Sequence, residues 1–227
     1  VSLFLLASIL LSVSLIPILL TEIKAPETDV QESLGLQALW KASPSGVATI
    51  GLSGLASAGF FGVGTIYAIK AGLSVSETAL FMTLFIGFGA ASQWPLGWLS
   101  DKIDRRKVIL LCCASVISIC IVLASFEFTN TIFLILSALV GACTLPLYSL
   151  GVAQANDRLE PKQMISASGT IVLVFSVFAA LGPFTMSYFL EIFEMFGFML
   201  YMGIVHLVMA VTVLMMMMIN QNVDESE

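Results

Sequence analysis

Six charged residues stand within seven positions, Asp101, Lys102, Asp104, Arg105, Arg106 and Lys107, between two long apolar runs. Gly97 leads into them within the stretch "GWLSDKIDRRKV". Mixed charge at this density suits ion pairs that hold two elements together in one arrangement and release them in another. The bases alone would anchor a membrane topology, but that role does not call for the glycine or the first aspartate. Gly97 is expected to admit a neighbouring helix. Asp101 is expected to face the positive N-terminus of a helix, an interaction worth ~0.3–2 kcal/mol. The helix entered at Glu160–Pro161 is the candidate, since proline suits a first helical turn. Arg105 and Arg106 are expected to pair with Asp101, Asp157 or Glu160. Together Gly97, Asp101, Lys102, Arg105 and Arg106 form a candidate conformational latch.

A second group is polar but uncharged and lies within apolar segments: Tyr67, Gln93, Thr144, Tyr148 and His206. These are the candidates for a solute pathway. Thr144 and Tyr148 are one helical turn apart and share a face. His206 is the only histidine; it is either a neutral ring hydrogen-bonded between helices or a group that handles substrate or a proton. No Asp, Glu, Lys or Arg sits in the middle of an apolar segment. Coupling to a proton or ion gradient would therefore use His206 or a carboxylate elsewhere in a longer protein. Cys112, Cys113, Cys120 and Cys143 lack metal-ligand spacing and read as small apolar packers. No catalytic residue, metal or cofactor is expected. "GLSG" (Gly51 to Gly54) fits the G-x-S-G of rhomboid-type intramembrane proteases, with Ser53 and His206 as a dyad, but four residues in a glycine-rich run match easily by chance.

These residues are carried by a chain of 227 residues that is 59% hydrophobic and 11% charged, against about 25% charged for soluble domains. A water-soluble globule is thereby excluded. Apolar runs of about 20 residues span a bilayer as helices, and seven qualify: 1–20, 46–69, 78–98, 108–125, 131–154, 163–190 and 196–219. They do not alternate as barrel strands do. The fold class is all-α and polytopic. Counting alternate connections, Lys24, Lys41, Lys102, Arg105, Arg106, Lys107, Arg158 and Lys162 fall on one side and Lys70 alone on the other. The positive-inside rule then makes the linker and the C-terminus cytoplasmic. Neither the formal charge of −6 nor any basic patch points to nucleic acid.

Along the chain, 1–20 is one span and 21–45 a cytoplasmic linker. The linker carries a short amphipathic surface helix bearing Leu34, Leu36, Leu39 and Trp40. A compact six-helix bundle occupies 46–219, and 220–227 is a tail. Small residues in the first bundle helix (Gly46, Ser53, Gly54, Ser57, Gly62, Gly64) suit close helix packing. Gly182–Pro183 is expected to kink the fifth.

The pattern Gly97-x-Leu99-Ser100-Asp101-Lys102-x-Asp104-Arg105-Arg106 resembles the signature loop of the major facilitator superfamily, G-x-L-[AS]-D-[RK]-x-G-R-[RK]. Asp104 stands where that signature has glycine. The stretch "PLYSLGVAQANDRLEP" (Pro146 to Pro161) resembles the helix 10–11 region of a poorly characterised bacterial branch. The resemblance implies that 46–219 is the second six-helix half, helices 7–12, and 1–20 is helix 6. The chain would then be a piece of a longer protein whose first half is its partner. It also implies alternating-access transport of a small solute across a bacterial inner membrane, with helices 7 and 10 along a central cavity. A non-transporting receptor or assembly protein on the same scaffold is the alternative.

Overall fold

The structure, a computed structural model, describes residues 2–20, 34–126 and 128–224, and every regular element in them is an α-helix. The chain divides into two units, 1–32 and 33–227. The first unit holds α1 (Ser2–Leu19). Three of its serines point back at the helix: the hydroxyls of Ser8, Ser12 and Ser14 donate to the carbonyls of Phe4, Ser8 and Leu11. That satisfies these hydroxyls internally, which an apolar surround requires. The apolar stretch of α1, Phe4–Pro17, is shorter than any of the six long segments of the second unit.

That second unit runs α2 (Leu36–Ala42), α3 (Pro44–Lys70), α4 (Val75–Lys102), α5 (Arg105–Ser125), α6 (Asn130–Thr144), α7 (Pro146–Asn156), α8 (Pro161–Ile192) and α9 (Glu194–Asp224). With α6 and α7 taken together, six segments are long and apolar enough to cross a bilayer. The surface helix expected in the linker is α2; residues 21–33 lie outside the described residues. Leu39 is its buried anchor, and Leu36 and Trp40 stay exposed. Just before it, the Leu34 N–H donates to the Ser166 carbonyl, and Thr170 donates to the Leu34 carbonyl at 2.6 Å. The far end of the linker is thus tied to α8. The last helix reaches Asp224, past the expected end of the span at 219, and residues 225–227 are not described.

The bundle is built around α3, the most buried span, and its small residues are the reason. A Cβ on Gly54 would come within 2.6 Å of the Phe175 carbonyl oxygen. From the other side, one on Gly182 would meet the Leu55 carbonyl oxygen at 2.6 Å and the Gly59 nitrogen at 2.7 Å. One on Gly62 would meet Pro183 Cβ at 2.7 Å. Gly182–Pro183 is therefore the place where α8 presses on α3, and the helix continues unbroken through it. A helix boundary falls at Leu145–Pro146, between α6 and α7, where Pro146 takes the first position of α7. Since lipid does not drive helices together, such backbone approach carries much of the association. Gly182→Val should lower the stability of the complete protein by about 1–3 kcal/mol through overpacking. The same change at Gly97, where a Cβ meets nothing within 4 Å, should leave thermal unfolding in detergent nearly unmoved.

Alternate helices bring the bundle's connections to two ends. At the end holding the α3–α4 turn, Ser74 and Glu77 form a reciprocal cap, and Glu77 accepts from Asn130 Nδ2 at 2.7 Å, linking α4 to α6. The opposite end carries the α4–α5 turn and the α7–α8 turn.

Candidate functional site

The α4–α5 turn is short because both helices are capped within it. α4 ends at Lys102, and Asp104 begins α5 as its N-cap, accepting from the Arg106 N–H at 2.9 Å. Asp104 has φ −51°, so the position that carries glycine in the signature adopts no left-handed conformation here. Its carboxylate also takes the Arg106 guanidinium at 2.9 and 3.1 Å. That hydrogen-bonded arginine holds Asp104 below the usual carboxylate range, partial burial opposing it. Folded Asp104 therefore titrates below its unfolded value, so the stability it confers is complete above the ordinary carboxylate range and is lost as pH falls through the folded value. Asp104→Asn keeps a good cap and should be near native at neutral pH, whereas Asp104→Ala should cost about 0.5–2 kcal/mol. Thermal unfolding of both variants at pH 7 and at a pH below the ordinary carboxylate range checks this, with any native advantage over Asp104→Asn lost at the lower pH.

Arg105 is the centre of the site. Its Nε donates to Asp157 Oδ2 at 2.9 Å and its Nη2 to Asp157 Oδ1 at 3.3 Å. Nη1 donates to Ser100 Oγ at 2.9 Å, and Nη2 lies 3.3 Å from Asp101 Oδ1. One guanidinium thus joins the end of α4 to Asp157, the C-cap of α7. An acid at a helix C-terminus is unfavourable by itself, and Arg105 offsets it. The arginine side chain is 16% exposed, against 50% and 68% for Asp157 and Asp101. The fork is held under cover while its partners reach solvent.

This arrangement corrects several expectations. Arg106 pairs with Asp104 and not with Asp101, Asp157 or Glu160. Asp101 meets Arg105 rather than the N-terminus at Pro161, where Glu160 and Gln163 already cap each other. Lys102 lies 5.9 Å from the Trp98 ring as a cation–π contact. Gly97 admits no neighbouring helix of this unit: its open face lines a cleft of about 240 Å³ between α4 and α7, together with Gln93, Ser100, Asp101, Arg105 and Ser149. All the contacts of the brace lie within one six-helix unit.

Of the uncharged candidates, the structure brings together Thr144 and His206, both fully buried. His206 Nδ1 is 2.8 Å from the Met202 carbonyl oxygen and Nε2 is 3.2 Å from Thr144 Oγ1. A carbonyl only accepts, so Nδ1 carries a proton; Nε2 shares its hydrogen bond with the Thr144 hydroxyl. Both ring nitrogens are thus satisfied, and the histidine joins α6 to α9. Tyr148, one turn beyond Thr144, meets a different helix, its ring 4.7 Å from that of Phe175 on α8. Gln93 lies in the cleft beside the brace, and Tyr67 is at the other end of the bundle, stacked on Phe198 at 4.1 Å. Ser53 donates to the Ile50 carbonyl at 2.8 Å and does not meet His206, so no serine–histidine dyad forms.

Sequence reasoning missed Ser100 as a partner of Arg105, and it missed the capping role of Asp104. The second had a signal: an acid directly before an apolar helix marks an N-cap. The first had none, because a serine facing its own helix and one facing an arginine look alike in sequence.

Six apolar helical segments packed on one another, with their charge gathered in turns, define a multi-pass membrane protein of the all-α class. The sequence profile of the Major Facilitator Superfamily matches residues 46–227, and the chain belongs to that family. Its relatives include proteins named "Uncharacterized MFS-type transporter YcaD". That of Escherichia fergusonii is 23% identical over 177 residues, 77% of this chain and 45% of the relative. That of Salmonella arizonae is 26% identical over 171 residues, 74% of this chain and 44% of the relative. The chain thus spans less than half the length of the curated relatives it matches.

Proposed function

We propose that the protein is a secondary transporter, moving a small solute across a bacterial inner membrane by alternating access. The 46–219 unit would be one of two six-helix halves, with the charged turn on the cytoplasmic face. The observation that carries this reading is the family match over residues 46–227, which takes in all six long apolar segments of the second unit. The transporter names of its relatives support it. In this reading the Arg105 brace keeps the ends of α4 and α7 as one rigid piece, so the half moves as a body and not helix by helix. The cleft beside the brace, with Gly97 open on it, is where the other half closes against this one. Gly97, Asp101 and Arg105 then act through conformation, and a solute meets other residues. The reading assigns the chain no catalytic step: it is a transporter and not an enzyme.

The experiment is uptake and efflux by the complete native protein in proteoliposomes, over a broad panel of labelled solutes, with and without an imposed proton gradient. Saturable flux of one solute class, absent from protein-free liposomes, is the expected result. No flux across the panel from protein that is folded and inserted would favour a non-transporting receptor on the same scaffold.

A further inference from the structure

The end of the bundle away from the brace holds a cavity of about 500 Å³ lined by Tyr67, Lys70, Phe128, Phe133, Phe196 and Met199. That volume lies in the range of small-molecule sites. Tyr67, Phe128, Phe133 and Phe196 make part of its wall aromatic, and Lys70 and Tyr67 are the lining residues with polar side-chain groups. Lys70 forms no ion pair within 4.0 Å among the described residues. Tyr67 is 4% exposed and lines the cavity, and its hydroxyl makes no hydrogen bond among the described residues.

The surroundings leave these groups free for something else. The carbonyls at the end of α3 are taken by the turn that closes it: Gly72 donates to Ile69 and Leu73 to Ala68, with Gly72 at φ 84°. Glu77, at the same end, accepts from Ser74 and Asn130. Glu191 and Glu194 reach no ion pair with Lys70 and do not line the cavity. Lys70 and Tyr67 lie three residues apart on one helix and so share a face. An ammonium beside a phenolic O–H, backed by rings, suits a negative head on an apolar body.

We propose that this cavity binds a small anion with an apolar or aromatic body, its carboxylate-like head held by Lys70 and Tyr67 and its body against Phe133, Phe196 and Met199. A solute from water and the headgroup of an anionic lipid share this chemistry, and the test separates them.

The test measures equilibrium binding of radiolabelled benzoate to the complete native protein in nanodiscs of phosphatidylcholine alone. Benzyl alcohol and benzylamine, with the same ring and a neutral or cationic head, serve as competitors. Native protein and Lys70→Arg should bind saturably. Lys70→Gln should weaken binding at least tenfold, and Tyr67→Phe, which keeps the ring stacked on Phe198, about threefold. Benzylamine should displace benzoate no better than benzyl alcohol does. Loss of benzoate binding in discs containing phosphatidylglycerol would support the site and make a lipid anion its occupant; unchanged binding would support it with a dissolved anion as occupant. The proposal is overturned if native protein binds no benzoate in phosphatidylcholine, if Lys70→Gln binds as tightly as native, or if benzylamine competes preferentially. Because binding is read at equilibrium, these outcomes are independent of whether the protein transports anything.

Discussion

Arg105→Ala should reduce solute flux by the complete protein in proteoliposomes at least tenfold, while insertion into the membrane stays near native. The substitution removes the group that joins α4 to α7. It leaves the Asp157 carboxylate at a helix C-terminus with no partner, beside Asp101 and an unbonded Ser100 hydroxyl. A hydrogen bond to a charged group contributes about 1.5–3 kcal/mol, but the two carboxylates are half or more exposed, and solvent screening reduces the net loss to about 1–2 kcal/mol. That is too little to unfold a six-helix bundle, but it removes the joint that makes the ends of α4 and α7 move as one piece, so the rigid-body step is no longer made as a unit. Arg105→Lys should recover only part of the rate, because an ammonium does not bridge three acceptors as the planar fork does. Asp157→Asn should be milder than Arg105→Ala, since it removes the misplaced acid together with its partner's contact. The double variant Arg105→Ala, Asp157→Asn should be closer to Asp157→Asn than to the sum of the two effects. Additive losses would mean that the two residues act separately.

The largest loss of stability should come from His206→Ala, about 2–5 kcal/mol from the removed packing and the cavity left in the bundle, with the Thr144 hydroxyl left without its partner. His206→Phe refills the space but still strands that hydroxyl, at a cost of about 1–3 kcal/mol. Thr144→Val removes the hydroxyl and leaves Nε2 without a partner, with a cost in the same range. When His206→Phe and Thr144→Val are combined, both polar groups are gone, so the double variant should be more stable than the sum of the single losses implies. Thermal unfolding in one detergent across native protein, the two single variants and the double variant checks this. If the histidine instead carries a proton in transport, His206→Phe with Thr144→Val would fold well and lose gradient-driven flux.

Much of the architecture is legible in the chain because a membrane imposes it. Apolar length marks each span and charge marks each turn, so all six segments of 46–219 stand where the hydropathy puts them, within a few residues. The small residues of the first bundle helix and their use in close packing were equally visible, but the helix that presses on them was not. Gly62 and Pro183 lie against each other across two helices, and nothing local in the sequence shows that pairing. Pro146 sits inside one continuous apolar run, at the boundary between α6 and α7.

The candidate site was legible in its residue types and less so in its pairings. Arg105 had three acids to choose from within reach of the same surface, and chain pattern cannot rank them. The choice follows from geometry: Glu160 is occupied as a cap, and Asp157 stands at the end of α7 opposite the turn. Likewise Thr144 and His206 are 62 residues apart, and only the packing of α6 and α9 against their shared neighbours α3 and α5 brings them together.

A single labelling experiment reaches the foundation beneath the brace, the cleft and the cavity: the two ends of this bundle face opposite sides of a membrane. Lys102→Cys, Arg158→Cys and Lys70→Cys, each in the complete protein with its native cysteines replaced, are exposed to an impermeant maleimide from either face of sealed vesicles. Positions 102 and 158 should react from one face, the cytoplasmic one, and position 70 only from the other. Labelling of 102 and 158 from opposite faces would contradict the account, since Arg105 could not then join α4 to α7.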